Sequence, residues 1–286
     1  MKVVIIGANG QLGMDLMKVF ADLNPISLTH SDIEISDPES VSGALLSMRP
    51  TLVINTAAYH KVDDCEKNPE RSYKINSLGA LNLAKIAESH QFDLVHVSTD
   101  YVFDGTKHAP YVETDSPHPL NVYAVTKVAG EHFIAANTRR HYIVRSSGLY
   151  GHNTCRAKGR NFIDTMMALA RDKKDIRVVQ DEVLTPTYTY HLAKQIRELA
   201  STGAYGLYHV TNNGSCSWFE FAQEIFRNAG LQPSLKPTSV KESPSPIKRP
   251  SYSVLENAGL RSLGIDHMPH WKESLAHYFG AKPVGN

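Results

Sequence analysis

Apolar residues along the first 150 positions change their spacing in a regular way. Val3, Val4, Ile5 and Ile6 are an unbroken β-branched run, so Lys2–Ile6 is predicted to be a strand buried on both faces. From Gln11 to Leu23 the apolar positions Leu12, Leu16, Val19, Phe20 and Leu23 fall at helical spacing. The alternation continues, with strands predicted at Ile26–Leu28, Thr51–Asn55, Phe92–Ser98 and Tyr142–Arg145 and helices at Asn68–His90 and Val122–Asn137. A further helix is expected to start at Ser36-Asp37-Pro38-Glu39, where a polar cap, a first-turn proline and a glutamate three residues after the serine coincide. Strands and helices in alternation predict an α/β fold, a doubly wound parallel sheet with right-handed crossovers and helices on both faces.

After about Gly151 the pattern weakens. Helices are expected near Asn161–Arg171, Tyr190–Ser201, Ser217–Ala229 and His270–Phe279, and short strands near Ile176–Val179 and Gly206–Val210. Leu231–Pro250, rich in Pro, Ser and Lys, reads as irregular loop.

Composition narrows the function classes. A chain of 286 residues that is 42% hydrophobic can bury a large core. Its 30 Lys and Arg against 29 Asp and Glu leave a net charge of +1 without a long basic run, so neither nucleic acid nor an anionic membrane is an expected partner. No apolar stretch approaches the roughly eighteen residues of a membrane span, and the opening run is short for a signal peptide, so a cytoplasmic protein is expected. Cys65, Cys155 and Cys216 are odd in number and far apart, and the 14 histidines include no HExxH, so neither a disulfide framework nor a protein-built metal site is expected.

Three motifs carry chemistry. Gly7-Ala-Asn-Gly10-Gln-Leu-Gly13 follows the first strand and opens the first helix. Glycines there let the backbone turn tightly and approach a pyrophosphate at the helix N-terminus, so a dinucleotide is the expected cofactor. A dinucleotide-binding Rossmann-like domain over residues 1–150 and a smaller α/β substrate-binding lobe over 151–286 follow, with the chain crossing between them. Tyr123 and Lys127 stand at i, i+4 on a predicted helix, which puts both on one face. An ammonium beside a phenol favours the phenolate and lowers the tyrosine pKa, as proton transfer to or from a carbonyl oxygen requires. Ser98-Thr99-Asp100-Tyr101 ends a predicted central strand, on the sheet edge where ligands of open α/β folds bind.

Together these motifs resemble the extended short-chain dehydrogenase/reductase superfamily. GANGQLG, VINTAAY (53–59), VSTDYVFDGT (97–106), the run from Pro119 to Glu131, Asn161-Phe162, Pro186-Thr187-Tyr188-Thr189, Ser217-Trp218-Phe219-Glu220-Phe221-Ala222 and Arg249-Pro250 are similar to the dTDP-4-dehydrorhamnose reductase family in order and across nearly the whole chain. The resemblance implies that the loop from Gly7 through Gly10, Gln11 and Leu12 to Gly13 contacts the cofactor phosphates and that Glu34 and Ile35 lie near the adenosine. Ala57, Ala58, Tyr59 and Val97 would line the nicotinamide side. Tyr123 would donate the proton, Lys127 would hold Tyr123 and a ribose hydroxyl, and Thr99 would polarise the ketone, with Thr99 and Asp100 facing the sugar and Arg249 on the substrate side. The implied reaction reduces the 4-keto group of a nucleotide-diphospho-6-deoxyhexulose, most simply dTDP-4-dehydrorhamnose, with NADPH or NADH as the implied cofactor.

Two positions depart from the family pattern. Gly148 stands where the family has a tryptophan that packs on the sugar, and Leu184 stands where it tends to have glycine. Cofactor choice is open, since His30 and Ser31 suit a 2′-phosphate and Glu34 a 2′-hydroxyl, so use of both cofactors is expected. Next to Gly148, the Cys155–Arg160 loop is basic, and it reads either as a contact for the substrate diphosphate or as solvated surface. Some members of the family are magnesium-linked dimers; a homodimer through Asp15 or Asp181-Glu182 is one reading, and solvated carboxylates are the other. Related enzymes on this fold include epimerases and dehydratases, and the dehydratase is disfavoured because Tyr101 stands where its second carboxylate belongs. A non-catalytic cofactor-binding subunit is the remaining alternative, against which the joint presence of Thr99, Tyr123 and Lys127 argues.

Overall fold

The computed structural model describes residues 1–153, 159–172, 175–242 and 245–280. Strands β1 (Val3–Ile6), β2 (Ile26–Leu28), β3 (Leu52–Asn55), β4 (Asp93–Thr99) and β5 (His141–Ser146) are interleaved with helices α1 (Gln11–Val19), α2 (Pro38–Leu46), α3 (Val62–Lys67), α4 (Pro69–Tyr73), α5 (Gly79–His90) and α6 (Val122–Asn137). These strands pair in parallel in the order β5-β4-β3-β1-β2, the arrangement of a Rossmann-like doubly wound sheet.

Beyond Ser146 the chain builds small ladders. β6 (Leu149–Tyr150) pairs with β9 (Thr187–Tyr188), β7 (Ile176–Val179) with β12 (Leu235–Thr238), and β8 (Val183–Leu184) runs antiparallel to β11 (Cys216–Ser217). Between them lie α7 (Phe162–Arg171), α8 (Thr189–Leu199) and α9 (Trp218–Asn228), and α10 (Ala258–Ser262) and α11 (Trp271–Tyr278) follow. β10 (Gly206–His209) leaves this half and completes the large sheet, with Leu207 opposite Ile143 on β5. Leu192, Ala193 and Ile196 of α8 share one apolar core with Leu12 and Leu16 of α1. The other sheet face is covered by Val41 and Leu45 of α2 and Leu83, Ala84 and Ala87 of α5. A separate core in the second half gathers Tyr150, Ile163, Phe221, Ile225 and Trp271. No helix of the described residues is long and apolar enough to cross a membrane.

Several elements differ from their predicted form for local reasons. The helix expected to reach Leu23 stops at Val19, and Ala21–Leu23 is a 3-10 turn closed by Asn24 in the left-handed conformation. The helix over Asn68–His90 contains a π turn at Lys74–Leu78. Asn76 in that turn points inward, bonding the Tyr59 carbonyl at 2.9 Å and Thr126 Oγ1 at 3.0 Å. An inserted residue of this kind re-aims a side chain at low cost to the helix. Asp37, not Ser36, caps α2, accepting from the Glu39 N–H at 3.0 Å, while Ser36 Oγ donates to Glu34 Oε1. Part of the expected loop Leu231–Pro250 is β12, which tolerates Pro237 because it lies at a ladder edge.

Candidate active site

The glycine turn is built by backbone alone. Gly7 N–H donates to the Leu28 carbonyl at 2.8 Å and Gly10 N–H to the Gly7 carbonyl at 2.9 Å. A Cβ on Gly13 would lie 2.1 Å from the Gly7 oxygen and 2.8 Å from Ala8 Cα, so the first turn of α1 closes on the loop only with glycine there. Gly10 is the N-cap, no side chain of the described residues caps α1, and its first turn holds no acid. The positive end of the helix is thus open beyond the C-terminal end of β1, and this cradle fits a pyrophosphate. Leu12 is buried in the core, and Gln11 Nε2 donates to the Gly151 carbonyl at 3.2 Å, so these two residues offer the loop their backbone.

The remaining residues expected around a cofactor ring the same edge. Glu34 follows β2 half-buried, its Oε1 accepting from the Ser36 N–H at 3.0 Å and its Oε2 3.5 Å from His30. Ile35 is buried against Gly79. Ala57, Ala58 and Tyr59 follow β3 half-buried, and Asn76 clamps Tyr59 from both backbone sides, at 2.8 and 2.9 Å. Val97 lies on β4, and its carbonyl accepts from Lys127.

Asn121 caps α6, accepting from the Ala124 N–H at 2.9 Å, and so fixes Tyr123 in the first turn. The Tyr123 phenol lies within reach of the Thr99 hydroxyl. Burial pushes that phenol well above its ordinary pKa, the Thr99 hydroxyl pulls it back part of the way, and Asp100, Cys65 and Tyr101 push it up. Lys127 is directed at β4. Its Nζ donates to the Val97 carbonyl at 2.8 Å and lies 3.0 Å from His96 Nε2. Burial lowers its pKa to about 8, opposed by Glu131.

Asp100 departs from its expected place facing a sugar. It is 3% exposed, and its carboxylate accepts from Ser147 at 2.7 Å, Ser253 at 2.5 Å and Thr99 at 3.1 Å. Burial raises its pKa against those hydrogen bonds. Asp100 therefore ties the ends of β4 and β5 to the 251–255 segment, behind Thr99. Arg249 is exposed and acts electrostatically on Tyr101 and Glu182.

Gly148 does not leave a space where a tryptophan would pack. It has φ +54°, and a Cβ there would lie 2.7 Å from Leu184 Cδ1 and 3.2 Å from Pro186 Cα. The two positions that depart from the expected pattern therefore touch in space, with Leu184 Cδ1 lying where a side chain at 148 would begin. Gly148→Trp alone is expected to destabilise the protein by about 1–3 kcal/mol through overpacking. Adding Leu184→Gly should recover part of that loss, giving a coupling above about 0.5 kcal/mol in a urea double-mutant cycle. Additive losses would show that the two positions are independent.

Residues 154–158, which hold most of the expected basic loop Cys155–Arg160, lie outside the described residues. Asp15 is buried and accepts from Thr189 Oγ1 at 2.6 Å, and Asp181 accepts from the Val240 N–H at 3.0 Å. Among the described residues no three His, Cys, Asp or Glu side chains converge as metal ligands.

The supports of this site are buried polar side chains that no motif spacing marks. Arg145 and Glu131, both nearly inaccessible, pair at 2.6 Å, and Ser98 donates to the same carboxylate. A charged residue inside the strand YIVR was the available signal, since a buried charge needs a partner. His96, which contacts Lys127, and Asn55, which contacts His96, carried no chemical signal in the sequence beyond standing in two apolar strands.

The RmlD substrate binding domain model matches residues 1–282. The spore coat polysaccharide biosynthesis protein SpsK of Bacillus subtilis (strain 168) is 39% identical over 279 residues, covering 97% of this chain and 96% of that protein. A dTDP-4-dehydrorhamnose reductase from Aggregatibacter actinomycetemcomitans is 35% identical over 96% of this chain and 97% of its own length. The crystal structure of a dTDP-4-dehydrorhamnose reductase from Bacillus anthracis str. Ames in complex with NADP superposes with a TM-score of 0.93 at 38% identity, over 99% of this chain and 100% of that one.

Proposed function

The chain belongs to the RmlD substrate binding domain family, and from that premise we propose that it is an NAD(P)H-dependent reductase of the 4-keto group of a nucleotide-linked 6-deoxyhexulose. The substrate is dTDP-4-dehydrorhamnose and the product dTDP-rhamnose, the reaction named for its reductase relatives. The observation that carries this reading is that the Thr99 hydroxyl acts on the buried Tyr123 phenol where β4 ends, on the same sheet edge as the open N-terminus of α1.

When bound, the reduced nicotinamide supplies hydride to the carbonyl carbon. Tyr123 gives its phenolic proton to the ketone oxygen, and Thr99 holds that phenol and hydrogen-bonds the same oxygen. Gln11, Leu12 and Gly13 present backbone N–H groups to the pyrophosphate, on the tight turn that Gly7 and Gly10 close. Glu34 and Ile35 flank the adenosine, while Ala57, Ala58, Tyr59 and Val97 shape the nicotinamide side and Lys127 holds a ribose hydroxyl. Asp100 positions Thr99 from behind, and Arg249 meets the substrate from the second half of the chain. The cofactor lies against residues 1–150 and the sugar against 151–286. A nucleotide sugar and reduced nicotinamide as reactants place the work in the cytoplasm.

The test is to mix the purified protein with dTDP-4-dehydrorhamnose and either NADPH or NADH. Loss of the reduced-nicotinamide absorbance with both cofactors, and dTDP-rhamnose by mass spectrometry, is the expected result. No turnover of this or any related nucleotide keto-sugar would sink the reading and leave a cofactor-binding subunit.

A further inference from the structure

Ser72, Asn76 and Thr126 meet at the seam between the π turn and α6, and all three are buried. The direction of each bond is forced. The Tyr59 N–H can only donate, so the atom it meets at 2.8 Å is Asn76 Oδ1. Asn76 Nδ2 then donates to the Tyr59 carbonyl at 2.9 Å and to Thr126 Oγ1 at 3.0 Å. A carbonyl can only accept, so the single Thr126 hydroxyl proton goes to the Tyr123 carbonyl at 2.8 Å. Ser72 Oγ, 3.2 Å from Thr126 Oγ1, is left as a donor to it. An unbroken line thus runs from the Tyr59 backbone through the Asn76 amide and the Thr126 hydroxyl to the Tyr123 backbone.

A threonine that bonds back to a carbonyl of its own helix is commonplace. Here the same oxygen also accepts from outside the helix, and the seam has little freedom. Ser77 Oγ donates to the Thr126 carbonyl at 2.8 Å, so the π turn holds Thr126 at both its side chain and its backbone. A Cβ on Gly130 would lie 2.5 Å from the Asn76 carbonyl oxygen, so α6 meets the turn backbone to backbone. The π turn at Lys74–Leu78 is what sets Asn76 facing this seam.

We infer that Thr126 is a positioning residue, whose hydroxyl fixes Tyr123 against the 57–59 loop through Asn76 and so sets the phenol relative to the nicotinamide. Hydride reaches the carbonyl carbon as the Tyr123 proton reaches the oxygen bonded to it, so the two donors have to stand a fixed distance apart. The loop after β3 shapes the nicotinamide side and the first turn of α6 carries the phenol. Thr126 is the link between them, standing between the two members of the Tyr123/Lys127 pair in sequence and facing away from the reacting atoms. Only this last step, from loop and helix to the two donors, rests on the reductase reading; the coupling of loop to helix does not.

Thr126→Val keeps the branched shape and removes the hydroxyl, while Asn76 keeps its bonds to Tyr59, so a melting curve should show a folded protein. Without substrate, hydrogen exchange of the Tyr59 amide, followed by NMR, should quicken by about tenfold, the weight of one hydrogen bond. Unchanged exchange in the folded variant overturns the inference. With dTDP-4-dehydrorhamnose and NADPH, kcat should fall by about 10–100-fold while KM for the sugar stays within a few-fold of the parent. Thr126→Ser, which retains the hydroxyl, should recover most of that loss. In a Tyr123→Phe background Thr126→Val should add little, because no phenol is left to place. A full additional loss there, or an equal loss in Thr126→Ser, overturns the inference in favour of a packing role. If Thr126→Val does not fold, Thr126→Ser and Thr126→Ala, which differ only by the hydroxyl, make the same comparisons. A parent that turns over no keto-sugar ends the reductase reading, and exchange at Tyr59 still decides the coupling.

Discussion

Tyr123→Phe lowers turnover by about 10²–10⁴-fold, the range for loss of a positioned general acid, while binding of reduced cofactor is unchanged. The substitution removes one oxygen and keeps the ring that meets Tyr101 edge-on at 6.2 Å, so the fold and cofactor cradle are retained. Thr99 keeps its bond to Asp100. Rates come from reduced-nicotinamide absorbance and cofactor affinity from fluorescence titration, with a melting curve as the check on folding. Turnover within a few-fold of the parent would remove Tyr123 from the proton-donor role. In the parent enzyme the phenol is pushed up by burial, so it stays protonated through neutrality and reduction declines only as the pH rises toward that elevated pKa.

Glu131→Gln is expected to be the most damaging single change to stability, at about 3–5 kcal/mol, the cost of breaking a buried ion pair from one side. The Arg145 guanidinium is 3% exposed, and its second terminal nitrogen already has no partner among the described residues. Glutamine keeps the shape of glutamate but leaves that cation uncompensated in a place water cannot reach. It also removes the joint between α6, β4 and β5, so Tyr123 should lose its fixed distance to Thr99 and turnover should fall as well. Urea unfolding of the two proteins measures the first effect. A loss below about 1 kcal/mol, the range of solvent-screened pairs, would show that the site admits water.

The parallel sheet was readable because its strands are continuous β-branched runs, which only a sheet covered on both faces can use. The helix over Asn68–His90 was readable as helix but not as interrupted, because the π turn answers to Tyr59 and Thr126, distant in sequence. Tyr123, Lys127, Thr99 and the glycine turn were visible because each needs its own residue type at a fixed spacing. What could not be read was where side chains go once neighbours are present. Asp100 sits in the most specific motif of the chain, yet Ser147 and Ser253 draw it inward. Gly148 was visible as a departure from the family pattern, but that Leu184, thirty-six residues on, is its neighbour was not.

The return of β10 to the edge of the large sheet decides how this enzyme can be recombined with its relatives. A chimera that joins residues 1–150 of one protein to the remainder of another inherits a foreign strand against β5 and a foreign α8 against α1. If that strand pairs poorly, β5 becomes an open edge with unpaired N–H and C=O groups, ready to associate with another chain. Exchange of the second half between family members therefore has to leave 189–210 with residues 1–150 and swap the stretches on either side of it, as two pieces rather than one.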